Sequence, residues 1–246
     1  MTRQLLCFLT LILLANAATA QAPRLYLLPG MGGDHRLFKN LDLSAYDTTH
    51  VRFPTPDGPT AMADFARLLH PQIDTTESFN LLGVSFGGML AVELTEQLYP
   101  ERTIIISSAK QRSELPGKLR FNKVIPLYRI IGGRAQRALG GLGRWLFERR
   151  ARSEEPTFKA MLRAKDPAYL KWATYAVTNW ERDTVPPNII HIQGQNDHTL
   201  PIKNMPDAIA VPNGGHMIVM MQPKAIEAVL IDQLSGAPHQ GRSAPH

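Results

Sequence analysis

Three side chains that together can break an acyl bond occur in this chain at Ser85, Asp197 and His216. Ser85 is the centre of Gly83-Val84-Ser85-Phe86-Gly87, preceded by an apolar run and followed by leucines at helical spacing, Leu90, Leu94 and Leu98. That arrangement can hold a serine on a strained strand-to-helix turn with its hydroxyl projecting above a sheet. Glycines two residues before and two after are required because side chains there would collide. Three fixed positions of this kind match by chance in roughly one chain in ten of this size, so the flanks carry the weight. A serine hydroxyl is a poor nucleophile near neutral pH and needs a base within hydrogen-bond reach. His216, after Gly214-Gly215, is the candidate base. Asp197, in Gly194-Gln195-Asn196-Asp197-His198-Thr199-Leu200-Pro201, is the candidate acid that would fix the imidazole tautomer. Upstream, Pro29-Gly30-Met31-Gly32-Gly33-Asp34 is a loop whose glycines leave backbone N–H groups open to a ligand. The amides of Met31 and Phe86 are the candidate oxyanion donors. A phosphate loop is the competing reading, but neither a Lys-Ser/Thr nor a dinucleotide fingerprint follows.

Other polar groups compete less well. His198 adjoins Asp197 but neighbours in an extended loop point apart. His191 lies in a strand pattern and reads as a core histidine. Asp183 precedes its strand, at the wrong end of a sheet; Asp34 reads as a turn or cap residue and His35 as solvated. Met217, Met220 and Met221 suit either an acyl pocket or packing of the last helix. No His, Asp and Glu cluster has metal spacing, so neither metal nor cofactor is expected.

The elements that must position these groups alternate. Strand patterns cover 24–28, 49–53, 79–84, 103–106, 188–193 and 208–211. Helical patterns run from about residue 60, with Met62, Phe65, Leu68 and Leu69 on one stripe, over 89–98, and from Pro223 to about residue 234. Strand, helix, strand in succession predicts an α/β fold: a mostly parallel sheet with helices on both faces and right-handed connections.

The 246 residues, 44% hydrophobic and 20% charged, suit one large core with an insertion. Residues 1–20 combine Arg3, an apolar run of about ten residues and Ala18-Thr19-Ala20, the pattern of a cleaved secretory signal. A membrane anchor would need roughly 20 apolar residues. Cys7, the single cysteine, falls inside this segment and reads as an apolar signal residue. The mature chain, 21 onward, would then hold no disulfide, thiolate nucleophile or cysteine metal site. Residues 110–183 differ in texture: no strand is evident, and seventeen Lys/Arg face seven Asp/Glu, a net of +10, while the rest of the chain carries −4. Most of these cations read as solvated helix faces. Their concentration adds the expectation that the insert attracts an anionic substrate or an anionic membrane surface. No nucleic-acid motif appears, and nucleic acid is not an expected partner. Residues 235–246 are small, polar and proline-containing, and read as a disordered tail.

Taken together, Leu-Pro-Gly-Met-Gly-Gly, Gly-Val-Ser-Phe-Gly-Gly, Gly-Gln-Asn-Asp-His-Thr-Leu-Pro and Gly-Gly-His, with Ser, Asp and His in that order, resemble the α/β-hydrolase superfamily over most of the chain. The resemblance implies a triad of Ser85, Asp197 and His216, a core of 21–109 and 184–234, and a helical lid of 110–183. It also implies a short sheet of about six strands, because only three residues separate the expected cleavage site from the first strand. Pro29 stands where the family often has histidine, with little consequence if the donor is a backbone amide. The implied activity is that of an exported, periplasmic or secreted serine esterase acting on a small-molecule carboxylic ester. Thioesters or amides on the same triad, and a noncatalytic binder retaining the pocket, remain as alternatives. Serine at position 85 excludes the aspartate nucleophile of dehalogenases and epoxide hydrolases.

Overall fold

In the computed structural model, residues 22–117, 119 and 153–234 are described. The expected signal segment, the tail and the middle of the basic insert lie outside them. Six strands form one sheet: β1 (Arg24–Leu28), β2 (Asp47–His50), β3 (Phe79–Val84), β4 (Arg102–Ile106), β5 (Ile189–Gly194) and β6 (Ile209–Val211). Their order is β2-β1-β3-β4-β5-β6, and every neighbouring pair is parallel.

The sequence of the central strands explains their place. β1, β3 and β4 read RLYLL, FNLLGV and RTIII, apolar at nearly every position, as strands covered on both faces must be. Successive side chains point to opposite faces, which divides the core in two. Tyr26, Leu28, Leu81 and Ile105 join α1 (Met62–Leu69) and α2 (Phe86–Leu98) on one side. Leu25, Leu27, Leu82, Val84, Ile104 and Ile106 join α5 (Ile218–Met221) and α6 (Pro223–Leu234) on the other. β2, with sequence DTTH, is the polar edge.

The strand order reverses at β1, whose neighbours are β2 and β3. In open parallel sheets, such a switch opens a crevice beyond the carboxyl ends of the strands, flanked here by the loop after β1 and the turn after β3.

Two local expectations shift. The strand expected at 49–53 forms at Asp47–His50, because pairing with β1 runs from Arg24↔Asp47 to Leu27↔His50 and outweighs the apolar Val51 and Phe53. On α1, Leu68 is 51% exposed, and Ala66 fills the buried stripe with Met62, Phe65 and Leu69.

The insert leaves the sheet after β4 and returns before β5. Its neck is closed by the Arg112 amide donating to the Arg182 carbonyl (2.7 Å) and the Arg112 guanidinium donating to the Trp180 carbonyl (2.7 Å). Glu93 on α2 accepts from Trp180 Nε1 (2.7 Å) and from Arg182 Nε (2.9 Å) and Nη2 (3.0 Å). Lys110, also buried, pairs with Glu114 and Asp207. Among the described residues, Lys110, Arg112 and Arg182 are therefore structural rather than solvated cations.

The two described helices of the insert are α3 (Glu155–Arg163) and α4 (Pro167–Thr178). Asp166 caps α4 by accepting from the Ala168 amide, and Pro167 occupies its first turn. Trp172 packs against Phe65 at 4.0 Å between ring centroids and edge-on to Phe86 at 5.8 Å.

Candidate active site

Ser85 joins β3 to α2 with φ 53° and ψ −119°, a conformation that L-residues avoid and that costs about 1–3 kcal/mol. The surroundings over-determine it. The Ser85 amide donates to the Ile106 carbonyl (2.9 Å), and the Ser85 carbonyl accepts from Ser108 Oγ (2.7 Å) and the Gly88 amide (2.9 Å). The flanking glycines are there for space. A Cβ on Gly83 would overlap the backbone of Gly87 and Gly88, and one on Gly87 would overlap the carbonyls of Leu28 and Pro29.

Asp197 and His216 come from two loops locked backbone to backbone. Gln195 donates to the Val211 carbonyl (3.0 Å) and Asn196 to that of Gly214 (2.7 Å). A Cβ on Gly194 would overlap the Gly214 and Gly215 carbonyls, so the acid loop and the base loop touch without side chains between them. Gly214 and Gly215 have negative φ, so what glycine supplies at this junction is close approach.

The result is a continuous hydrogen-bonded line. Ser85 Oγ lies 3.0 Å from His216 Nε2, and His216 Nδ1 lies 2.7 Å from Asp197 Oδ2. Asp197 is buried, which by itself would raise its pKa. The opposing charge and hydrogen bond of His216 and the amides of Leu200 (2.9 Å) and Thr199 (2.7 Å) hold it below the ordinary carboxylate value instead. The carboxylate thus stays ionised, and a neutral His216 would carry its proton on Nδ1, leaving Nε2 to accept from the serine.

The loop after β1 lies against this turn: Gly30 faces the Val84 carbonyl and Ser85 Cβ, where an added Cβ would sit at 3.4 and 3.5 Å. Phe86 opens α2, whose first amides have no partner within the helix. Neither the Met31 nor the Phe86 amide donates to a backbone carbonyl among the described residues. The insert covers the same loop, since Phe158 and Leu162 of α3 lie within about 3 Å of where a Gly32 Cβ would stand, and Thr174 of α4 donates to Met31 Sδ (3.9 Å).

The competing groups fall elsewhere. Asp34 accepts from the Arg36 amide (3.0 Å) as a turn cap and pairs with the Arg36 side chain. His198 and Asp183 are exposed. His191 is buried, and burial and then the charge of Lys110 push it down to about 4. Met217 and Met220 are buried against the β-sheet face that carries α6, the packing alternative of the two weighed for them. Among the described residues no group of three His, Cys, Asp or Glu could hold a metal, and no helix is long and apolar enough to cross a membrane. One neighbour of the site was absent from the sequence reading: Gln193, whose Nε2 donates to Asp197 Oδ2 (2.8 Å). Its signal was available, as His191 and Gln193 are polar at alternate positions in the otherwise apolar strand IIHIQG.

A profile of the alpha/beta hydrolase family matches residues 8–229. No curated protein matches the sequence. Among solved structures the chain is similar to a thermophilic esterase from Thermogutta terrifontis (15% identity, TM-score 0.70, 87% of this chain and 90% of that one). It is also similar to a hydrolase from Pseudomonas aeruginosa PA01 (19%, 0.68, 88% and 91%) and an enol-lactonase from Burkholderia xenovorans LB400 (16%, 0.67, 89% and 94%). At these identities the likeness is one of fold.

Proposed function

The chain belongs to the alpha/beta hydrolase family, and from that premise we propose that it is an exported serine hydrolase that cleaves carboxylic esters. The observation that carries this reading is the unbroken line Ser85 Oγ, His216 Nε2, His216 Nδ1, Asp197 Oδ2, at 3.0 and 2.7 Å. His216 takes the Ser85 proton as the hydroxyl attacks the ester carbonyl, then gives it to the leaving alcohol. Asp197 holds the imidazole orientation and stabilises its charged form. The amides of Met31 and Phe86 hold the oxyanion, where one donor is typically worth 10²- to 10³-fold in rate. Water activated by His216 then releases the acid from the acyl-enzyme.

Residues 110–183 serve as the lid in this reading. Phe158, Leu162 and Trp172 of the insert pack in one apolar cluster with Phe53 and with Phe86, the residue after Ser85, which favours an apolar acyl group beside the serine. The structural neighbours that are esterases favour an ester over a thioester or amide. Export rests on the signal-like pattern of residues 1–20.

A second reading concerns the substrate's charge. Lys165, between α3 and α4, is half-buried with its ammonium 5.6 Å from the centre of the Tyr169 ring and forms no ion pair among the described residues. Burial lowers its pKa, with Asp34 opposing and Arg36 adding to the effect, while Asp34 is itself engaged by Arg36. Such a cation favours an anionic group on the substrate, or an anionic membrane surface, as the partner of the basic insert.

Hydrolysis of p-nitrophenyl esters of short and long acyl chains tests the main reading. Turnover above background is expected, with loss in Ser85→Ala. Absence of turnover on every chain length would reject it.

A further inference from the structure

The hydrogen-bonded line from Ser85 does not end at Asp197. Gln193 Nε2 lies 2.8 Å from Asp197 Oδ2 and 2.6 Å from the Leu200 carbonyl, and both of these are acceptors. That nitrogen is therefore the amide NH2, and Gln193 Oε1 must face the other way, where it lies 3.2 Å from His191 Nε2. Only an N–H can serve it there, so His191 carries its proton on Nε2. Gln193 and His191 are buried side by side on β5, the strand that delivers the acid loop. The charged groups that act on His191 are Lys110 and Asp207, themselves paired, and both push against one another.

We propose that Gln193, aligned by His191, is the positioning residue of Asp197. The inference rests on the serine-hydrolase reading. Asp197 Oδ1 accepts the amides of Thr199 and Leu200; Oδ2 accepts His216 Nδ1–H and Gln193 Nε2–H. With all four contacts in place the carboxylate can neither rotate nor slide, and the imidazole inherits that orientation. Without Gln193, Oδ2 is served by His216 alone. The carboxylate then rotates more freely, and its less stabilised charge pulls harder on the His216 proton.

The test compares full-length wild type with Gln193→Leu and His191→Leu in kcat, KM and the pH profile of kcat/KM. All rates are expressed per site titrated with a fluorophosphonate. For Gln193→Leu, kcat should fall about 10- to 100-fold with KM within about twofold, as losses of orienting partners generally do. The acidic limb of the profile should also move to higher pH, because the imidazolium persists further. His191→Leu leaves the amide in place but frees its rotation, and should show the same changes on a smaller scale. A merely structural role would lower the titratable fraction and leave kcat per site and the limb where they were. That outcome, in whichever variant folds, overturns the proposal. Failure of the wild type itself to react with the fluorophosphonate would reject the serine-hydrolase reading, and this inference with it.

Discussion

The carboxyl edge of the sheet and the insert above it are built on different principles. At the sheet edge, backbone does most of the fixing: Ser85 is held by the Ile106 carbonyl and the Gly88 amide as well as by the Ser108 hydroxyl, and the Asp197 and His216 loops meet through Asn196 and Gly214. Glycines occur there because carbonyls occupy the space a Cβ would need. In the insert, side chains do the holding: Glu93 grips Trp180 and Arg182, and Thr174, Phe158 and Leu162 rest on the loop of Met31 and Gly32. Backbone contacts of this kind leave little freedom for change at any residue, whereas a side-chain scaffold is sensitive at the few residues that hold it and open to change elsewhere. In the proposed function the edge positions the chemistry and the insert chooses what reaches it.

Mutations can break this division or sharpen it. The largest effect is expected at His216→Ala, where kcat should fall by 10⁴-fold or more while thermal stability changes little. In the insert, Phe158→Ala should alter the preferred acyl length with kcat on the shortest ester nearly unchanged. Steady-state kinetics across a p-nitrophenyl ester series measures both, and equal losses in the two variants would erase the distinction.

Next, Glu93→Gln should destabilise the protein by about 2 kcal/mol in urea unfolding, since it weakens the buried acceptor of Trp180 and Arg182 and leaves the guanidinium only Glu96 as an ionic partner. Lys159→Ala, which removes an exposed pair with Glu155, should stay within about 1 kcal/mol.

A pH-dependent term of similar size comes from His191. Its folded pKa, pushed down by burial to about 4, lies below the ordinary value near 6.5. Between these values the unfolded chain binds a proton that the folded chain refuses. The contribution is therefore complete above pH 6.5 and lost as pH falls to 4, on the order of 3 kcal/mol in all. Unfolding free energies across that window should decline less steeply in His191→Leu than in wild type.

A smaller effect, on binding alone, is expected at Lys165. If its ammonium, which forms no ion pair among the described residues, meets an anionic group, Lys165→Glu should raise KM for p-nitrophenyl hemiglutarate by about tenfold, or 1.4 kcal/mol, and leave the neutral 5-methylhexanoate ester unchanged. Equal behaviour of the two esters would assign the basic character of the insert to its folding alone.

How far the sequence announces this molecule follows the same division. β1 and β3 are legible to the residue because strands covered on both faces must be apolar throughout. The edge strand β2 is not, since its bounds come from pairing with β1 and its residues are DTTH. Ser85, Asp197, His216 and the Met31 loop are legible because a strained turn and close backbone approach demand glycines that sequence displays. Gln193 is harder to find: a polar residue in a buried strand shows only that it has a partner, and the partner lies in another loop. The neck of the insert is least legible, since Glu93 and Arg182 are distant in sequence and each alone resembles an exposed charge.

The most direct measurement is the site of fluorophosphonate attachment in the full chain. Mass spectrometric mapping should place a single adduct on Ser85, formed at neutral pH, absent in Ser85→Ala and greatly slowed in His216→Ala. An adduct on another serine, or labelling that persists unchanged in Ser85→Ala, would contradict the account.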